Sequence, residues 1–232
     1  MWHNRKLTIT DMKRFFTLLS LVLIAMLTVN PQCAEAKSPK KQGIITVKDG
    51  QFMRNGKPYY FVGTNFWYGA ILGSEGEGGN RERLIKELDF MKANGIDNLR
   101  ILIGGEGENG LLGKIEPNLQ SEPGVYNDAV LEGLDFLMME LGKRNMTAVL
   151  YFNNAWEWSG GYTQYVAWAN NTPVLVPRVD GWFSYNAFAG EFVRNERAKE
   201  IFYDHVRYIV SRTNRYTGIK YIDDPAIFSW QI

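Results

Sequence analysis

Past residue 43 the apolar positions switch period repeatedly, and the switches mark out elements. Leu84, Ile85, Leu88 and Met91 fall at helical spacing between Asn80, whose side chain can accept a free N-terminal backbone N–H, and Gly95, a C-terminal stop. Residues 98–103 then form a compact apolar run that predicts a buried strand. A second helix follows Asn127, with Val130, Leu131, Leu134, Leu137, Met138 and Leu141 along it, and residues 147–152 give the next strand. A third helix is predicted from about Asn195, carrying Ile201, Phe202, His205, Val206, Ile209 and Val210 on one stripe and ending near Gly218, before a strand at 226–232. Upstream, 44–47 and 51–54 are short strand-like runs around Asp49-Gly50. Asn55-Gly56 is a tight-turn signal before 59–64, so a hairpin lid should lead into a first buried strand.

The order strand, helix, strand, helix, strand, helix, strand argues for a parallel sheet with helices outside it. A doubly wound sheet would place a phosphate-binding glycine turn after the first strand. A (β/α)8 barrel would place polar and aromatic residues at the carboxyl ends of several strands. The barrel fits better: strand 1 runs into Asn65-Phe66-Trp67-Tyr68, strand 2 carries Arg100 and opens into 104–110, and strand 3 runs into Asn153-Asn154-Ala155-Trp156-Glu157-Trp158. The 42 residues 153–194 read as the longest irregular segment. Loops beyond about 12–15 residues in a compact domain are usually functional or disordered, and Trp156, Trp158, Trp168 and Trp182 argue against disorder.

The N-terminus has a separate logic. Arg5, Lys6, Lys13 and Arg14 precede an apolar run at 15–29, followed by Ala34-Glu35-Ala36, the pattern of a secretory signal with an A-x-A cleavage site. A membrane anchor is the alternative, but spanning a bilayer takes about 20 apolar residues. Residues 1–36 are therefore expected to be a signal peptide and 37–43 a polar linker, with export to the periplasm or beyond and no stable membrane span after signal removal. Cleavage would remove Cys33, the single cysteine; lipidation of Cys33 is disfavoured by Gln32, where a small residue is expected.

Composition narrows the chemistry. The 232 residues carry 26 Lys+Arg against 25 Asp+Glu, a formal charge of +1, so no cationic surplus offers itself to nucleic acid. One Cys and two His cannot assemble the usual three or four ligands of a zinc site, so no metal or other cofactor is expected. Residues 105–110 match G-x-G-x-x-G, but Glu106 and Glu108 would repel phosphate and the motif follows the second strand, so it reads as a flexible acidic loop near a cleft. His205 sits on the apolar stripe of a helix and reads as a packing residue. The aromatic and amide residues at strand ends are more telling. Sugar rings present apolar C–H faces and hydroxyl edges, and Trp67, Trp156 and Trp158 beside Asn65, Asn153, Asn154 and Glu157 supply flat platforms with hydrogen-bonding groups. Arg100, a charge inside a strand, must be paired, either within a site or with a loop carboxylate.

Four segments together resemble the secreted bacterial endo-β-1,4-mannanases of glycoside hydrolase family 5: Gly63-Thr64-Asn65-Phe66-Trp67-Tyr68-Gly69-Ala70, Asn98-Leu99-Arg100, Asn153-Asn154-Ala155-Trp156-Glu157-Trp158-Ser159-Gly160-Gly161, and Asp224-Pro225-Ala226-Ile227-Phe228-Ser229-Trp230-Gln231-Ile232. The strand 2 arginine and the strand 4 context are shared with cellulases of the same family. The resemblance implies a (β/α)8 barrel that hydrolyses internal β-1,4-mannosidic bonds with retention, using two glutamates about 5–5.5 Å apart, with no cofactor, β-mannan as polysaccharide partner, and a monomeric full-length form. It also implies that Arg100 orients the nucleophile and that Trp67, Asn154 and Trp156 line glycone-side subsites; Asn153 and Trp158, from the same strand end, are expected to bind substrate with them. The family's acid/base glutamate stands in an Asn-Glu-Pro word directly after strand 4, where this sequence reaches Ile232. Residues 44–232 are thus expected to be the N-terminal part of the catalytic domain, about four of eight strand/helix units. Neither catalytic glutamate can be assigned in it, Glu106 and Glu157 match no catalytic position, and the isolated chain is expected to be inactive. An endo-β-1,4-glucanase of the same family and a non-catalytic glycan-binding module are the alternatives.

Overall fold

The structure is a computed structural model that describes residues 43–232. The expected signal at 1–36, Cys33 within it, and the leader except Gly43 lie outside the described residues. Strands β1 (Ile45–Lys48), β2 (Gln51–Arg54) and β3 (Lys57–Pro58) form an antiparallel sheet. Its turns are at Asp49-Gly50 and Asn55-Gly56, all four residues in the left-handed region, as a two-residue hairpin turn requires. Strands β4 (Gly63–Asn65), β5 (Asn98–Leu102), β8 (Thr147–Tyr151) and β9 (Ile227–Gln231) form one parallel sheet in the order β4-β5-β8-β9. Between β5 and β8 lie a small antiparallel pair, β6 (Gln120–Glu122) and β7 (Val125–Tyr126), and a long helix.

Seven α-helices accompany the strands in the described residues: α1 (Gly69–Gly73), α2 (Arg81–Ala93), α3 (Asp128–Lys143), α4 (Gly161–Asn170), α5 (Pro177–Asp180), α6 (Trp182–Gly190) and α7 (Glu196–Val210). An asparagine caps each of the three predicted helices. Asn80 Oδ1 accepts the Arg83 N–H at 2.9 Å, Asn127 Oδ1 the Ala129 N–H at 3.0 Å, and Asn195 Oδ1 the Ala198 N–H at 3.0 Å. Each satisfies an N–H that the helix geometry leaves without an internal partner.

One face of the parallel sheet carries Leu99, Ile101, Ala148 and Leu150, all fully buried against Leu84, Leu88, Val130, Leu134 and Leu137 from α2 and α3. Complete burial of such a side chain is worth roughly 1.5–3 kcal/mol. Helices α1 and α3 approach backbone to backbone: a Cβ on Gly133 would sit 2.2 Å from the Ala70 carbonyl oxygen, so no larger residue fits there. The hairpin reaches the amino ends of the strands. The Tyr59 hydroxyl lies 3.1 Å from Thr147 Oγ1, Arg54 donates to the Pro225 carbonyl at 3.0 Å, and Phe52 and Phe61 pack on Phe228. The opposite, carboxyl end is left open.

Three expectations are corrected. Strand 1 is three residues long and exposed throughout, because among the described residues β4 is the outer strand and has a partner on one side only. Residues 153–194 are mostly helical, holding α4, α5, α6 and two 3-10 turns. The third predicted helix, α7, stops at Val210 rather than near Gly218. Asn214 turns the chain there, its Oδ1 accepting the Tyr216 and Thr217 N–H groups at 2.8 and 3.1 Å.

Candidate active-site cleft

Arg100 stands in the middle of β5, in register with Asn65 of β4, while Tyr151 of β8 is in register with Gln231 of β9. Its guanidinium draws on all of these. Nε donates to Gln231 Oε1 at 2.9 Å, Nη1 reaches Asn65 Oδ1 at 3.5 Å, and the guanidinium carbon lies 3.7 Å from the centroid of the Tyr151 ring. One cation thus touches all four strands of the sheet. Its partners are neutral groups, so the charge is held in place and left uncancelled by a loop carboxylate. Stacking of this kind contributes about 0.5–2 kcal/mol and fixes the plane of the fork.

The aromatic residues gather beyond it. Phe66 is buried and turns the chain after β4, leaving Trp67 40% exposed. The Trp67 and Trp158 rings meet edge to face with centroids 5.4 Å apart, and Trp156, 56% exposed, meets Trp182 at 5.9 Å. The loop that presents Trp156 and Trp158 is shaped by its two asparagines. Asn153 Oδ1 accepts the Ala155 N–H at 2.6 Å, and Asn154 Oδ1 accepts both the Trp156 N–H at 3.0 Å and the Ser159 hydroxyl at 2.7 Å. Asn153 is 4% exposed and lies beneath the surface, so its place is that of a loop-former; Asn154 is half-buried.

Of the six residues expected to line the cleft, Trp67 and Trp158 pack together, Trp156 packs separately on Trp182, and Arg100, in the middle of β5, reaches Asn65 and Gln231 at the last positions of β4 and β9. Tyr151 and Gln231 were missed, although both share the strand face of Arg100 by alternation. A separate groove of about 690 Å³ lined by Asn170, Asn186, Arg194 and Glu196 contains none of the six.

The acidic loop expected at 105–110 is half interior: Glu108, Asn109 and Gly110 are exposed, whereas Glu106 is buried. Glu106 is 1% exposed, its Oε1 accepts the Tyr165 hydroxyl at 2.9 Å, and burial pushes its pKa up to about 8 against smaller opposing pulls from Tyr165 and Lys114. Lys114 donates to Gln164 Oε1 at 2.7 Å, and burial brings its ammonium down to about 8. Glu157 lies in the 3-10 turn Glu157–Ser159, with Oε2 buried and unpartnered. His205 packs as expected: it is 1% exposed, its Nδ1 is 3.2 Å from the Tyr126 hydroxyl, and burial lowers its pKa to about 3.

Residues 42–232 match a family described as glycoside hydrolase family 5 β-mannosidase-like. The chain is 30% identical over 191 residues to the tomato (Solanum lycopersicum) mannan endo-1,4-beta-mannosidase 1, covering 82% of this chain and 43% of that protein. A mutant family 5 mannosidase from Rhizomucor miehei, solved with mannosyl-fructose, superposes with a TM-score of 0.78 at 35% identity over 83% of this chain and 48% of that one. The endo-1,4-beta-D-mannanase of Thermotoga petrophila, solved with maltose and glycerol, superposes with a TM-score of 0.56 at 25% identity over 74% and 44%. The chain therefore spans about half the length of the relatives it matches, and its four parallel strands with their helices correspond to half of a (β/α)8 barrel. Fold, segment order and family match agree: this chain belongs to the β-mannosidase-like group of glycoside hydrolase family 5.

Proposed function

We propose that the chain is the N-terminal half-barrel of a secreted endo-β-1,4-mannanase and supplies part of its sugar-binding cleft. The observation that carries this reading is the placement of Trp67 and Trp158 in edge contact at the open carboxyl end of the sheet whose β5 strand holds Arg100. Indole faces pack on the C–H faces of pyranose rings, and the uncancelled Arg100 charge suits a group that must hold a carboxylate or a hydroxyl edge. In the complete barrel, two glutamates about 5–5.5 Å apart would act as acid/base and nucleophile, both supplied outside this chain, and Arg100 would fix the orientation of the nucleophile. Export is part of the proposal, supported by the basic, apolar and A-x-A pattern of residues 1–36. Among the described residues no helix is long and apolar enough to cross a membrane.

A second reading has an observation of its own. The superposition is better on a protein described as a mannosidase, at a TM-score of 0.78, than on an endo-mannanase, at 0.56, and hydrolysis at chain ends is the second reading. The test is to assay the full-length gene product on reduced mannohexaose and on cellohexaose. Internal cleavage splits the hexaose into fragments of two to four sugars from the first turnovers, whereas end cleavage releases mannose together with the pentasaccharide. Preference for cellohexaose contradicts both mannan readings. Mannan hydrolysis by the purified 232-residue chain contradicts the placement of the catalytic pair outside it.

A further inference from the structure

The buried Glu106 is used by neither the fold core nor the proposed sugar contacts, yet its contacts converge on the aromatic loop. Its backbone N–H donates to the Ser159 carbonyl at 3.0 Å, and nearby the Ile115 N–H donates to the Trp158 carbonyl at 2.8 Å. Its side chain crosses to α4, where Oε1 accepts the Tyr165 hydroxyl, while Oε2 is buried with no hydrogen-bond partner. Space for the carboxyl is made by Gly160, the first of two consecutive glycines. Gly160 and Gly161 have φ of 101° and 69°, and a Cβ on Gly160 would lie 2.6 Å from both Glu106 Oε2 and the Glu106 carbonyl oxygen. These glycines end the turn carrying Trp158 and begin α4. Glu106 therefore joins the Trp loop to the start of α4.

We propose that Glu106 is a positioning residue for sugar binding: its carboxyl, hydrogen-bonded to Tyr165 and seated on Gly160, holds the 153–161 loop so that Trp156 and Trp158 face the cleft. An ionised carboxylate at this place would be a desolvated charge, and the cost of burial outweighs the opposing pulls of its neighbours. The groups that face it are the Tyr165 hydroxyl from α4, the Lys114 ammonium from the β5–β6 connection, which also lies 3.4 Å from the Glu106 carbonyl, and the Gly161 N–H. Tyr126 of β7 is the next titratable group electrostatically coupled to it, and Glu108 acts on Lys114. The raised value near 8 agrees with a neutral carboxyl below that pH. Burial also pushes Tyr165 well above its ordinary value, so it stays a donor across the range.

The sugar-binding part of this inference rests on the function proposed above, so two readouts are needed. Tryptophan emission reports the loop without ligand, and its quenching by mannohexaose reports binding. The wild-type chain is expected to change emission and to lose at least tenfold in mannohexaose affinity as the pH passes about 8. Glu106→Gln, neutral at every pH and able to accept the Tyr165 hydroxyl, should bind like wild type at pH 7 and show neither change. Glu106→Ala should bind at least tenfold more weakly at pH 7 with its circular dichroism intact. Lys114→Met should keep the transition. An unchanged emission transition in Glu106→Gln, its loss in Lys114→Met, or wild-type emission and binding in folded Glu106→Ala would each overturn the proposal. If no form binds mannohexaose, the functional reading fails, while the emission curves of wild type and Glu106→Gln still decide the role of Glu106.

Discussion

The guanidinium carbon of Arg100 lies over the Tyr151 ring, 3.7 Å from its centroid, while Gln231 holds Nε at 2.9 Å. Tyr151 is itself 1% exposed and anchored in β8, so it forms a fixed floor under a charge that faces the open end of the sheet. Arg100→Lys keeps the charge but loses both the planar stack and the Nε donor. Mannan turnover by the full-length form is expected to fall roughly 10- to 100-fold, a loss of about 1.4–2.8 kcal/mol in transition-state stabilisation. The melting temperature should change little. Steady-state kinetics of the two forms check this.

A second prediction concerns the buried carboxylate that ties α3 to the segment after α7. Asp135 is fully buried, Oδ2 accepts from Arg212 Nη2 at 2.6 Å, and Oδ1 accepts the Tyr221 hydroxyl at 2.6 Å. Asp135→Ala leaves the Arg212 charge and the Tyr221 hydroxyl unpaired in the interior. Removing one partner of such a pair costs about 3–5 kcal/mol, and urea unfolding of the two proteins measures it.

His205 gives a prediction about acid. Its folded-state pKa is lowered to about 3 by burial, and Nε2 has no protein partner. Between that value and the ordinary one near 6.5, the unfolded chain binds the proton and the folded chain does not. Stability therefore falls as the pH drops below about 6.5 and the loss levels off near 3. From pH 7 to pH 4 this amounts to about 3 kcal/mol on the scale of 1.36 kcal/mol per unit. His205→Gln should be less stable than wild type at pH 7 but should lose about that much less on acidification, as unfolding curves at the two pH values would record.

The sheet itself predicts association. Strands β4 and β9 each have one partner among the described residues, and unpaired strand edges recruit other strands. Val62 beside β4 and Ile232 beside β9 are 61% and 64% exposed. The 232-residue chain should therefore associate as its concentration rises, and Val62→Lys with Ile232→Lys should reduce this. Light scattering on the eluting protein distinguishes the two behaviours.

What could be read from the sequence was what has a period or a cap. Helices α2, α3 and α7 present one apolar stripe each and begin after Asn80, Asn127 and Asn195, so their starts were visible. Helix α4 was not, because Thr163, Gln164, Tyr165, Val166 and Ala167 are all buried in succession and no stripe exists to be seen. It also begins on two glycines at positive φ with no side-chain cap. The same logic divides the site. Trp67, Trp158 and Arg100 announce themselves as a charge and large aromatics at strand ends. Tyr151 and Gln231 look like ordinary strand residues until the register places them around Arg100. Glu106 read as a solvated loop acid because its burial comes from Gly160 and Tyr165, more than fifty residues away in the chain.

The most direct measurement for the account as a whole is mannohexaose binding to the folded chain and to Trp67→Ala and Trp158→Ala, followed calorimetrically, with cellohexaose in parallel. The account expects mannohexaose to bind the parent chain, each substitution to weaken it at least tenfold, and cellohexaose to bind more weakly. Absence of mannohexaose binding by a chain with intact circular dichroism, or equal binding after both substitutions, would contradict it.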